Sequence, residues 1–162
     1  MVVIKPYTID ELRETINKNI WHKRRNIYLV NPLVVAKFAG YIESAQHEQR
    51  MGRAVNGKAN TPEVYGAELV DGNWYSMMQY VEGTTIGTHI VTEGTGILDS
   101  RDEEITKVLA LGILPVDCFD FSNCLVAPDR KVFLVDFERW AYGTKEEIEL
   151  VRRHLVKRYF IA

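Results

Sequence analysis

Asn123 and Asp136 are oxygen-bearing side chains thirteen residues apart, and their midpoint falls between Asp129 and Arg130. Pro128-Asp129-Arg130-Lys131 reads as a turn between the apolar stretches Leu125-Val126 and Val132–Val135, so an antiparallel hairpin is expected there. Residues equidistant from such a turn lie opposite each other, which predicts Asn123 facing Asp136 at the open end. Hard oxygen donors in that number suit Mg²⁺, which takes one or two protein groups and completes its shell with phosphate oxygens and water. The same two residues would also serve as plain strand-end groups that satisfy backbone. A second pair carries charge. Lys37 stands late in the apolar stretch Val34-Val-Ala-Lys37, where a cation is expensive unless paired. Glu48 follows eleven residues later, on the helical face shared with Ala45 and Val55, so mutual neutralisation is expected. Met77-Met78-Gln79-Tyr80-Val81-Glu82-Gly83 leaves a strand and ends at glycine, a segment able to offer backbone N–H and C=O groups to a flat heterocycle.

These residues need elements to hold them. Thr8-Ile-Asp-Glu11, Ser100-Arg-Asp-Glu103 and Thr144-Lys-Glu-Glu147 each have the form of a capping box, which opens a helix. The first precedes the stripe Ile9, Leu12, Ile16, Ile20; the second precedes Ile105, Val108, Leu109 and Leu111, with Gly112 as a stop. The third opens a last helix with Ile148, Val151, Leu155 and Tyr159 on one face, acidic early and basic late, as the helix dipole favours. Strands are expected over Asn26–Val30, Leu33–Phe38, Val64–Val70 and Trp74–Val81, the last two flanking the hairpin dipeptide Asp71-Gly72. Tyr41–Val55 reads as a helix. The order predicts an α+β chain of two small lobes joined near Val81–Thr85.

The composition narrows the classes. A chain of 162 residues with 46% apolar and 26% charged side chains can form one self-sufficient domain without disulfide or metal staples. Twenty basic against 22 acidic residues argue against a dedicated nucleic-acid binder, although basic islands stand at 22–25 and 152–158. No apolar run approaches the ~20 residues of a membrane span. Met1-Val-Val-Ile-Lys5-Pro6 is too short for a secretory signal, and Cys118 and Cys124 suit the reducing cytoplasm as small buried fillers. The four histidines show no ligand spacing, and Phe119, Phe121, Phe133 and Phe137 are expected to pack the core.

From about Asn26 to Trp140 the chain resembles the protein-kinase-like superfamily, through motifs in the family's order. Val34-Val-Ala-Lys37 resembles the lysine strand and Glu48 its helical partner. Thr61-Pro62-Glu-Val-Tyr65 resembles the lead into the next strand, and Met78-Gln-Tyr-Val-Glu-Gly83 the hinge, with Met78 as gatekeeper and Gln79 and Val81 beside the nucleotide base. Gly112-Ile-Leu-Pro-Val-Asp117 through Asn123-Cys-Leu-Val126 resembles the catalytic loop, and Leu134-Val-Asp-Phe-Glu138 the metal-binding segment. The resemblance implies a minimal bilobal kinase-like fold, with 1–82 as N-lobe and 83–162 as reduced C-lobe. It also implies an ATP- and Mg²⁺-dependent transferase acting on a protein serine or threonine or on a small molecule. Lys37 and Glu48 would serve the phosphates, and Asn123 and Asp136 the metal.

The pattern departs from the family in three places. Asp117 stands six residues before Asn123, one more than usual, and Asp120 three before, so either is a candidate base. Trp21-His-Lys-Arg-Arg25 stands where a glycine-rich loop is usual, and Lys23, Arg24 or Arg25 would contact phosphate by side chain or form a solvated basic turn. Only 24 residues follow Glu138, so acceptor recognition would be minimal or come from a protein partner. The short tail resembles small atypical kinases of the RIO kind and small-molecule kinases. A chain of this fold that binds nucleotide or a partner without transfer is the alternative.

Overall fold

The structure, a computed structural model, describes residues 5–18 and 26–160, with side chains as far as Leu155. Lys23, Arg24 and Arg25 lie outside the described residues. The architecture is α+β, in two compact units: residues 1–53 with 62–81, and residues 54–61 with 82–162. Segment 54–61 groups with the second unit because Asn60 is held there. Its carbonyl accepts the Leu134 N–H at 2.9 Å and its N–H donates to Glu104 at 2.7 Å.

The first unit is built on a four-stranded antiparallel sheet. Strands β1 (Ile27–Asn31), β2 (Val34–Gly40), β3 (Val64–Val70) and β4 (Asn73–Gln79) lie in the order β1-β2-β4-β3. Period-two alternation gives the sheet two unlike faces. Val34, Ala36, Tyr75 and Met77 share one face with Tyr28 and Val70, and Tyr7 and Leu12 cover it. Leu12 belongs to helix α1 (Ile9–Lys18), whose start is the expected capping box. Glu11 N–H donates to Thr8 Oγ1 at 3.1 Å and Thr8 N–H to Glu11 Oε2 at 2.8 Å. The opposite face carries Val35 opposite Met78 and Lys37 opposite Ser76. Helix α2 (Ile42–Val55) meets this second face through Glu48 and Gln49.

The second unit contains strand β5 (Thr84–Thr85) and helices α3 (Ile86–Glu93) and α4 (Ile97–Leu109). Strand β6 (Ile113–Leu114), the short helix η1 (Phe121–Asn123) and the hairpin β7 (Cys124–Val126) and β8 (Val132–Leu134) follow. Strand β9 (Ala141–Tyr142) and helix α5 (Lys145–Phe160) complete it. Strands β5, β7 and β8 form one small sheet, and β6 pairs with β9 in another. The α5 start is again the expected box, with Glu147 N–H donating to Thr144 Oγ1 and Thr144 N–H to Glu147 Oε1. Gly83 enters β5 against the backbone of β7: a Cβ there would stand 2.5 Å from the Val126 carbonyl oxygen.

Two local expectations are corrected. Ser100 does not open a helix, because α4 already begins at Ile97 and its inward stripe runs through Arg101, Glu104, Ile105 and Val108. The β7–β8 hairpin is offset by one residue: Cys124 pairs with Leu134 and Val126 with Val132, so the turn centres on Asp129. Asn123 therefore faces Val135, whose N–H donates to the Asn123 carbonyl at 3.1 Å, and Asp136 lies one step beyond. Among the described residues, no helix is long and apolar enough to cross a membrane.

Candidate functional site

Each unit carries its own group of candidate residues. In the first, Lys37 Nζ lies 2.9 Å from Glu48 Oε1, with side-chain exposures of 14% and 2%. Burial from bulk water raises both the cost of either charge alone and the strength of the pair. Met78, buried and opposite Val35, stands on the same sheet face as Lys37. Gln79 is engaged within the unit, its N–H donating to the Glu63 carbonyl at 2.7 Å and its Oε1 accepting the Glu63 N–H at 3.1 Å. The Tyr80 N–H donates to the Leu33 carbonyl, and Val81 lies buried just past β4.

Gln49 is a residue that sequence reasoning missed. It is 2% exposed, and its amide donates to Ser76 Oγ at 2.8 Å and to the Met77 carbonyl at 3.0 Å. Its oxygen accepts the Gly66 N–H at 2.7 Å, at an irregularity in β3 where Gly66 has φ +127°. One amide thus fastens α2 to two strands, one residue from Glu48 and across from Lys37's strand partner. The signal in the sequence was only a glutamine adjacent to an inward glutamate. Gln49→Ala is expected to destabilise the protein by roughly 1–3 kcal/mol for each buried group it leaves unpartnered, which urea unfolding would measure.

In the second unit the loop from Pro115 to Asn123 closes on itself by successive turns. Cys118 N–H donates to Pro115, Asp120 N–H to Asp117 and Asn123 N–H to Asp120, all near 3.0–3.1 Å. Asp117 and Asp136 both have φ of +72°, the left-handed region that costs a residue with a Cβ. Asn123, buried, donates from its side-chain amide to the Asp117 carbonyl at 3.2 Å. Arg139 Nη1 stands 3.2 Å from each Asp117 carboxylate oxygen.

The two candidate aspartates are thereby differentiated. Asp120 Oδ1 accepts the Ser122 N–H at 2.9 Å and its hydroxyl at 2.8 Å, capping η1. Asp117 projects a carboxylate that is 37% exposed.

The surroundings hold this loop. Arg101, 3% exposed, places its guanidinium 5.4 and 5.6 Å from the ring centres of Phe119 and Phe121, while Nε donates to Asp102. The two phenylalanines, expected in the core, are instead part-exposed and brace a buried cation. Arg101 was detectable on the α4 stripe of Ile97, Ile105 and Val108. Phe137 and Trp140 are fully buried and meet edge to face at 4.8 Å, anchoring the segment after Asp136. Cys124 Sγ donates to the Cys118 carbonyl at 3.2 Å, and both thiols are buried. The Cys124 contact first, then burial and the nearby Asp136 charge, push the Cys118 thiol well above its ordinary pKa, so it is no thiolate nucleophile. Among the described residues no three His, Cys, Asp or Glu side chains converge as a metal cluster. Asn123 and Asp136 offer the hard oxygens that suit Mg²⁺ in company with phosphate.

Comparison with known proteins gives a likeness of fold. The crystal structure of WbdD matches with a TM-score of 0.62 and 12% identity, over 85% of this chain and 36% of that one. The chain therefore spans little more than a third of WbdD's length. No family model matches the sequence, and no curated protein matches it. Membership of the protein-kinase-like superfamily, and of its RIO and small-molecule branches, is accordingly not upheld. The motifs behind it are short, and Lys–Glu pairs, strand-end aspartates and glycine stops recur for packing reasons alone.

Proposed function

We propose that this chain is an ATP- and Mg²⁺-dependent phosphotransferase acting on a hydroxyl acceptor, on a protein serine or threonine or on a small molecule. The observation that carries the reading is the Asp117–Asn123–Asp136 group. Two aspartates are held in costly left-handed backbone on either side of a buried asparagine that is tied to one of them. Strain of this kind concentrates where a side chain must be aimed.

The residues divide the work by chemistry. Phosphoryl transfer rests mainly on positioning and charge neutralisation. Lys37, kept in place by Glu48, would neutralise phosphate oxygens. Asn123 and Asp136 would hold Mg²⁺, which supplies further neutralisation of phosphate charge. Asp117 would orient the acceptor hydroxyl and take its proton as the new P–O bond forms and the bond to ADP breaks. Asp120, engaged with Ser122, serves the loop's shape. Met78, on the Lys37 face, and Val81 would border the base, and a protein partner would present the acceptor.

The test is label transfer from ATP in the presence of Mg²⁺, with a general protein acceptor and with the chain alone. Asp117→Asn is expected to reduce transfer by about 10²–10⁴-fold, and Asp136→Asn by about 10²–10³-fold. Asp120→Asn should act mainly through loop stability. Nucleotide-dependent thermal stabilisation without transfer would overturn transfer in favour of binding alone.

A further inference from the structure

Arg139 has no place in the roles above, yet its guanidinium meets the carboxylate of Asp117. The fold explains how residues so far apart in sequence come together. Leu114 of β6 pairs with Ala141 of β9, so the chain leaving β6 toward Asp117 and the chain entering β9 from Arg139 start side by side. The Trp140 N–H donates to the Phe137 carbonyl at 3.1 Å, closing a turn on two fully buried rings. Arg139 sits in that turn, so its backbone is fixed while its side chain stays 69% exposed.

We propose that Arg139 is a positioning residue for Asp117; this rests on the phosphotransfer reading of the same site. Among the described residues, three features bear on Asp117. Its backbone is left-handed, its carbonyl accepts both the Asn123 amide and the Asp120 N–H, and its carboxylate faces Arg139. The first two fix the main chain and leave the side-chain torsions open. Among the described residues, Arg139 is the side chain that meets the carboxylate and so sets its plane. Nη1 is equidistant, at 3.2 Å, from Oδ1 and Oδ2, so both oxygens turn one edge toward the guanidinium. A carboxylate has about four acceptor directions. Arg139 Nη1 takes up the edge it faces, and the directions away from it would receive the acceptor hydroxyl.

A purely stabilising role fits poorly, because exposed ion pairs contribute little to stability. The inference is tested on the full chain with Arg139→Ala, Arg139→Lys, Asp117→Asn and the double variant Asp117→Asn/Arg139→Ala. Arg139→Ala should keep its thermal midpoint and its KM for ATP while kcat falls by about 10–100-fold, the scale of a misplaced reacting group. Arg139→Lys should recover part of that loss. In the double variant, loss of Arg139 should add nothing to loss of Asp117. In the ligand-free protein the Asp117 carboxylate-carbon resonance should move in Arg139→Ala and return part-way in Arg139→Lys. An Arg139→Ala chain with unchanged kcat and resonance, or additive losses in the double variant, would overturn the assignment while Asp117→Asn still upheld phosphotransfer. A wild-type chain that transfers nothing would overturn that reading, and the role of Arg139 with it.

Discussion

Lys37→Ala is expected to abolish phosphotransfer and also to cost about 3–5 kcal/mol of stability, the usual penalty for removing one partner of a buried ion pair. The cost comes from the partner left behind. Glu48 is 2% exposed, and without the ammonium 2.9 Å away its carboxylate must stay charged in poor solvent or take up a proton. The double replacement Lys37→Met with Glu48→Leu removes both charges and fills similar space. Such swaps are often neutral or stabilising, so most of the lost stability should return. Activity should not, because a thioether neutralises no phosphate. Urea unfolding and label transfer measured on the same three proteins separate the two effects. Recovery of transfer in the double variant would mean that Lys37 acts through packing alone.

Asp136→Gly should lower activity sharply while leaving stability close to that of wild type. Asp136 holds φ +72°, where a residue with a Cβ carries strain of about 1–3 kcal/mol and glycine carries none. Part of the relief is offset by glycine's greater freedom in the unfolded chain, roughly 0.5–1 kcal/mol. Set against the interactions that the Asp136 side chain makes, the relief is expected to keep the thermal midpoint close to wild type, with transfer reduced by about 10²–10³-fold if Asp136 holds the metal as proposed. A thermal midpoint that falls well below wild type would show that the Asp136 carboxylate is held for structure.

How much of this was legible depends on the range of the interactions. The boxes at Thr8–Glu11 and Thr144–Glu147 lie within four residues and could be read directly, because donor and acceptor are sequence neighbours. The same signature at Ser100–Glu103 misled, since Ile97 and Arg101 extend the buried stripe upstream and tertiary burial overrides a local cap. The Lys37–Glu48 pairing followed from period and charge. The β7–β8 register did not follow from counting, because the turn centres on Asp129 and a one-residue offset exchanges the faces of a strand. The left-handed turn at Asp136 then redirects that side chain, a backbone choice that no residue pattern announces. Arg139 was illegible for a related reason. Its meeting with Asp117 depends on the pairing of β6 with β9, two-residue strands too short to leave a pattern.

Gly83 has a bearing on how descendants of this sequence would be read. A methyl group there would stand 2.5 Å from the Val126 carbonyl oxygen and 2.9 Å from its carbon, both main-chain atoms that no rotamer change can move aside. Every side chain is therefore barred, whatever its polarity or charge. Evolutionary invariance at this position would record a steric veto between two stretches of main chain. It would look identical, in a column of aligned letters, to the invariance that the proposed chemistry would impose at Asp117 or Asp136. Only the substitution spectrum tells them apart: glycine or asparagine suits the left-handed backbone at the aspartates, whereas even alanine is too large at Gly83.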